Sequence, residues 1–489
     1  MISKPLFGSL LLTLFTARAE SLNAQSASGE ALIARAVRAT GGLAALDSLR
    51  AKRVEFNLVA FGLGQEETHL SQPRATVSYG STLTDYAGIR QITSQEMRQA
   101  AGVVTRQRRV TLPTMSMLEQ NGALTMDGAG VSAGLPRAHS LQIERILLAA
   151  AHHGSSALVL PTRTMQGEVA DGIRLPLGPD TVNLFFGRST GLPLASETIA
   201  DDPVLGDRRT ITWYGRWQDA GGLSLPRQID VEVNGRLQSQ TVLTSVVLNP
   251  ALDSVQFVIP DSMAARAPRP AATPTPLSVL LVNLGPGVWR AEGGSHHSLV
   301  VEQGNTLLVI EGPQSSARTG AVLDTLKSRF PSKPVYGVVM THHHHDHSGG
   351  IRAYMAEGVR VIAHQRNTRF VAGIAVAGKT VAPDRLSRSP GSPPMVPVQD
   401  SLVLGTGTGK VVLYPLASTH AGGLLAAWVP AAGVVFTSDV VSPSATTAPP
   451  QLGSTELVAF ARSMGIAPAR YVGGHGVVID WSVLEAAAR

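Results

Sequence analysis

The stretch Thr341-His342-His343-His344-His345-Asp346-His347-Ser348-Gly349-Gly350 limits what this chain can fold into more than any other. Behind Pro334, the segment Val335 to Met340 is mostly apolar and β-prone. It reads as a buried strand that ends at Thr341 and leaves the histidines in the loop just beyond it. Open α/β sheets carry their sites at such strand ends. Within the run, His342, His344, Asp346 and His347 form the pattern H-x-H-x-D-H, with a Gly-Gly following that lets a helix start close by. Imidazole and carboxylate suit Zn²⁺ and related borderline ions. Alternation in an extended loop aims His342 and His344 the same way, whereas Asp346 and His347 are adjacent and diverge, so two metals are implied rather than one. A purification tag or solvated tract explains the run poorly. A tag lies at a terminus and lacks an embedded Asp, a preceding buried strand and a following Gly-Gly.

A chain of 489 residues, 44% hydrophobic and 16% charged, is expected to form two well-buried domains. The net charge of +6 comes from scattered Arg and Lys with no basic block, and aromatics are 5%. Clustered cations and stacking platforms for nucleic acid are therefore missing. The absence of Cys excludes disulfides, thiol catalysis, a lipid-modified N-terminal Cys and thiolate metal ligands. Lys4 precedes an apolar run, Leu6 to Phe15, too short to span a bilayer, and Ala17-Arg18-Ala19 follows. Residues 1–19 read as a cleaved secretory signal, with a second cut available after Ala24. Bacterial-type export, periplasmic or secreted, without stable membrane insertion after cleavage, is the consequence.

From Ser28 to Leu49 two short helices are predicted, parted by Gly41-Gly42. Strand-like runs follow at Arg53 to Phe61, Ala75 to Tyr79 and Val103 to Leu112, then a helix from Ser140 to His153 before Gly154. Further strands at Thr181 to Phe186, Arg209 to Tyr214, Arg227 to Val233 and Gln240 to Leu248, with a hairpin signal at Asn234-Gly235, complete a β-rich domain over 25–262. A curved antiparallel sheet with a few helices is expected there. His152 and His153 fall in a last helical turn and read as caps, while His69 and His139 read as isolated and exposed. Residues 263–276, rich in Pro and Ala, read as an extended linker.

The domain over 277–489 alternates strands and helices, an α/β order with mixed strand pairing. Three more apolar strands deliver ligand-type residues just past their ends: Val411 to Ala417 before His420, Gly433 to Thr437 before Asp439, and Arg470 to Val472 before His475. Taken singly, such residues are more often structural. Four strand ends repeating one placement weaken that explanation.

This domain resembles the metallo-β-lactamase-fold superfamily, whose signature T-H-x-H-x-D-H-x-G-G is matched from Thr341 to Gly350. The resemblance implies an αββα sandwich with its site at one edge, His342, His344 and His420 on a first metal, Asp346, His347 and His475 on a second, and Asp439 bridging. It implies that His345 lies where substrate is often contacted. His343 is expected to point away or line the cleft. His296 and His297, just before a strand that ends near the site, are candidates for hydrogen bonding to the ligands or lining the cleft, and His364 reads as structural.

A small-molecule hydrolase follows from the resemblance: two divalent ions, zinc first, with iron or manganese also accepted by these donors, share a hydroxide that attacks an ester, lactone, thioester or amide carbonyl, and Asp346 orients it. The alternatives are a β-lactamase of the cysteine-free type, a persulfide-dioxygenase-like enzyme with one iron on His342, His420 and Asp439, and an apolar-ligand-binding protein with a vestigial site. The sequence leaves substrate and oligomeric state open.

Overall fold

The computed structural model describes residues 29–98, 102–268, 277–388 and 394–489. The segment expected to be a signal and much of the expected Pro-rich linker lie outside the described residues. The chain divides into two compact units. The first comprises the chain up to Phe61, Ala75–Ile199 and Arg209–Ala272, and the second comprises Gly62–Arg74, Ala200–Arg208 and Thr273–Arg489.

The first unit is built on a 13-stranded sheet made of two meanders, joined where its first strand, Ala51–Phe61, pairs antiparallel with its last, Arg236–Leu248. Asn234 and Gly235 turn the final hairpin with φ of 47° and 79°, the left-handed backbone a two-residue turn needs. A core of Ile33, Leu46, Ile146 and Leu147 from the helices meets Ile173, Leu175 and Phe186 from the sheet. An apolar cavity of about 370 Å³ lies among Val54, Phe56, Leu141, Ile143, Leu225 and Leu243.

Two expectations for this unit need correction. The helix expected from Ser140 is Ile143–His153, and a separate helix, Ala129–Ser140, ends where it was expected to begin. Gly130, Gly134 and Pro136 hide that helix from a propensity reading. His139 is not exposed but buried at 5% exposure, its ring edge-on to Tyr86.

In the second unit, two sheets stack face to face. Seven strands form the first, running from Leu280–Gly285 to Met395–Val398, and six form the second, from Leu402–Leu404 to Ile479–Asp480. The first sheet is antiparallel through Thr306–Ile310, then parallel through Val335–Met340 and Arg360–His364. Side-chain alternation explains the layering. Val339 faces the inter-sheet core with Leu308, Ile310, Leu413, Leu425 and Phe436. Val338 and Met340 face a second core, shared with Val322 and Leu326 of helix Ser316–Arg329 and with Tyr354. Leu457 and Leu484, from helices Gln451–Ser463 and Trp481–Ala487, cover the other sheet. Both faces of both sheets are buried, which is why these strands read as continuous apolar runs. The architecture is an αββα sandwich, as expected. No helix among the described residues is long and apolar enough to cross a membrane.

Candidate metal centre

Strand Val335–Met340 ends at buried Thr341, and the next residues carry the motif into a short helix, His345–Ser348. The turn is held by Gln314 N–H donating to the Asp346 carbonyl at 2.7 Å and Gly350 N–H to the Gly312 carbonyl at 2.9 Å. The loops after Val411–Leu416, Val434–Phe436 and Arg470–Val472 bring His420, Asp439 and His475 to the same edge.

All seven residues expected to hold metal come together there. Ligand atoms of His342, His344 and His420 lie within 4.8 Å of one another, as do those of His296, Asp346, His347 and His475, and those of His342, His347 and Asp439. Nε2 of His342 is 3.3 Å from Nε2 of His420, and Nε2 of His347 is 3.2 Å from that of His475. Asp439 stands between the groups: Oδ2 is 2.8 Å from His347 Nε2 and 3.7 Å from His420 Nε2, while Oδ1 is 3.4 Å from His475 Nε2.

The chemistry of this donor set fits bound cations. In four of the rings one nitrogen lies against a protein oxygen and the other is left for the cluster, an arrangement that fixes a ligand's tautomer. His347 Nδ1 faces Glu311 Oε1 at 2.5 Å, His475 Nδ1 the Ser295 carbonyl at 3.0 Å, His342 Nδ1 the Thr341 hydroxyl at 3.1 Å, and His344 Nε2 the Glu66 carbonyl at 2.9 Å. His344 Nδ1 is buried with no protein partner.

The electrostatics separate His347, which has a buried carboxylate partner, from His342 and His420, which have none. Burial drives His342 well below its usual value and His420 to about 4, which favours neutral rings with free lone pairs. Burial acts the same way on His347, but Glu311 overrides it, with help from hydrogen bonds to Asp346 and Asp439, and lifts this ring to about 12. At Asp346 and Asp439 burial opposes ionisation. Hydrogen bonds from His296 and His347 at Asp346, and from His347 at Asp439, win and hold both carboxyls below the ordinary range.

The remaining histidines divide. His296 Nε2 lies 3.3 Å from Asp346 Oδ2, inside the cluster. His297 is turned away, Nε2 bonding the Gly476 carbonyl at 3.2 Å. His343 is buried against the Glu66 carbonyl at 3.0 Å, and His345 stacks on Phe370 with centroids 6.1 Å apart. His364 takes the structural part expected of it, its Nδ1 accepting from Arg366 N–H. The ring nitrogens of His69, expected to be exposed, are buried, and the ring packs against His343 and Phe370.

Sequence reasoning missed Glu311. It is fully buried, accepts from Ser438 Oγ at 2.6 Å and Thr341 Oγ1 at 3.1 Å besides His347, and has a φ of 80°. Its signal was available: it is one more polar residue directly past an apolar strand, Thr306–Ile310.

Residues 291–482 match the family model of the metallo-beta-lactamase superfamily. The C-terminal domain thus belongs to that superfamily. A curated relative, the 2,4-dinitroanisole O-demethylase subunit alpha of Nocardioides sp. (strain JS1661), is 24% identical over 195 residues, which is 38% of this chain and 55% of the relative. Among solved structures, the metallo-beta-lactamase from Pontibacter korlensis is 18% identical with a TM-score of 0.34, covering 42% of this chain and 96% of its own. The metallo-beta-lactamase from Hirschia baltica is 17% identical, also at 0.34, covering 43% and 96%.

Proposed function

We propose that the second unit is a binuclear metal-dependent hydrolase acting on a small-molecule ester, lactone, thioester or amide. The observation that carries this reading is the convergence of two histidine-rich groups with Asp439 reaching both. His342, His344 and His420 would hold one divalent cation, Asp346, His347 and His475 another, and Asp439 would join them. Such a pair, zinc first, supplies water activation and carbonyl polarisation when bound. Asp346, held ionised by its hydrogen-bond partners and anchored by Gln65, would orient the attacking water. His345 and Phe370 stack at the motif. The run Leu6 to Phe15 supports an exported enzyme.

Metal analysis by mass spectrometry on the purified protein tests this reading. Near two zinc per chain is expected, falling to one or less in Asp439→Ala. A screen of esters, lactones, thioesters, amides and β-lactams then follows, with aryl methyl ethers added because the curated relative is named an O-demethylase subunit. One iron per chain would favour persulfide oxidation, and no metal uptake from metal-replete medium would sink the hydrolase.

A further inference from the structure

The segment Gly62–Arg74 lies more than 200 positions before the domain that matches the superfamily, yet it belongs to the second compact unit. Its contacts fall on the residues around the metal centre. Gln65 Nε2 donates to Asp346 Oδ1 at 2.8 Å, leaving Oδ2 as the oxygen that faces His296 and His347. The Glu66 carbonyl accepts from His344 Nε2 at 2.9 Å and from His343 Nε2 at 3.0 Å. The Glu67 carbonyl takes Gly422 N–H at 2.6 Å, two residues past His420, and the Gly64 carbonyl takes His345 N–H at 3.1 Å. Arg74 Nη2 reaches the Thr419 carbonyl at 3.0 Å. Gly64, at φ 83°, comes so close that a Cβ there would meet the His345 ring at 2.5 Å. At Gly422 a Cβ would meet Thr68 Cγ2 at 2.9 Å.

We propose that Gly62–Arg74 is a working part of the metal centre, a clamp that positions His344 and Asp346 for their cations. This inference rests on the binuclear reading above. An imidazole offers a metal only the nitrogen that carries no proton. The Glu66 carbonyl can only accept, so it draws the His344 proton to Nε2 and leaves Nδ1, buried and without a protein partner, for the first site. Asp346 needs one oxygen fixed to present the other, and Gln65 fixes it from outside the cluster. The clamp therefore touches one ligand in each group. Gln65 and the backbone of Glu66 are positioning groups, and neither has an atom in the clusters that could hold the metal.

The full-length protein tests the clamp with zinc and cobalt as probes. Gln65 is exposed, so Gln65→Ala should fold, as far-ultraviolet circular dichroism on chelator-treated protein would verify. Chelator competition should show the second zinc bound about tenfold more weakly with the first unchanged, the range typical of groups that orient metal ligands. Gly64→Leu, which pushes the segment off the motif, should weaken both sites and alter the visible d–d bands of the Co²⁺-loaded protein. A Gln65→Asn chain, reaching with the same amide on a shorter stem, should recover part of the lost affinity. Two-zinc binding with wild-type affinity and an unchanged cobalt spectrum in Gln65→Ala and Gly64→Leu would overturn the clamp while leaving the hydrolase intact. A wild-type chain that binds no metal would overturn both.

Discussion

Glu311 is the residue on which the proposed second metal position leans. Its carboxylate has no exposure and accepts from three donors on two segments, Thr341 and His347 of the motif and Ser438. Replacing it with Gln keeps the shape but removes the charge that opposes burial at His347. Metal affinity of Glu311→Gln should fall about 10- to 100-fold with the fold retained, read by chelator competition beside circular dichroism. An unchanged affinity would mean that Glu311 only packs. The contrast with the candidate ligands explains what could be read from sequence. His342, His344, Asp346, His347, His420, Asp439 and His475 are donors with few other reasons to follow apolar strands. Glu311 stood in the same position with no neighbouring donors to mark it. Gln65 carries no signal at all, because its partner is 281 positions away.

At the scale of elements, the pair Gly349-Gly350 shows how a correct reading can rest on an incomplete reason. Both glycines follow the motif as helix-permitting residues, yet neither needs left-handed backbone, since their φ values are −62° and −91°. They are glycines because other backbone lies against them. A Cβ on Gly349 would sit 2.2 Å from the Gln314 carbonyl oxygen. On Gly350 it would sit 2.2 Å from Thr319 Oγ1 and 3.0 Å from the Gly312 and Pro313 carbonyls. Thr319 donates to the Gly350 carbonyl at 2.9 Å, so it cannot simply swing aside. Gly350→Ala should cost about 1–3 kcal/mol through overpacking, seen as a lower urea midpoint at unchanged slope in chelator-treated protein. Strands and tight hairpins were legible because they follow from local pattern and from turns such as Asn234-Gly235. Helix Ala129–Ser140 was not, because tertiary packing overrides two glycines and a proline inside it. The pairing of Ala51–Phe61 with Arg236–Leu248 leaves no local trace either.

At the scale of the molecule, each unit has its own buried core, so an agent that acts on one should shift that unit's unfolding transition. The proposed metal centre lies in the second, so zinc at a thousandfold excess over its dissociation constant should add about 4 kcal/mol there. Acid acts on the first through His139. Burial holds this ring at about 4, against its ordinary 6.5, helped by Lys52 and Arg145. A histidine lowered in the folded state is neutral there while the unfolded chain takes up a proton. Its contribution is therefore fully present above pH 6.5, is lost as pH falls toward 4, and changes no further below that. A shift of this size corresponds to at most roughly 3 kcal/mol. Denaturation of metal-free protein at several pH values should show the first unit's midpoint falling across that window. In His139→Phe the acid limb should flatten, because the new ring keeps the edge-on contact with Tyr86 and cannot take a proton. Zinc should move only the other transition in either chain. If the acid limb of the first unit survives in His139→Phe with its full slope, another group is responsible for it and His139 is not the acid-sensitive residue of that unit.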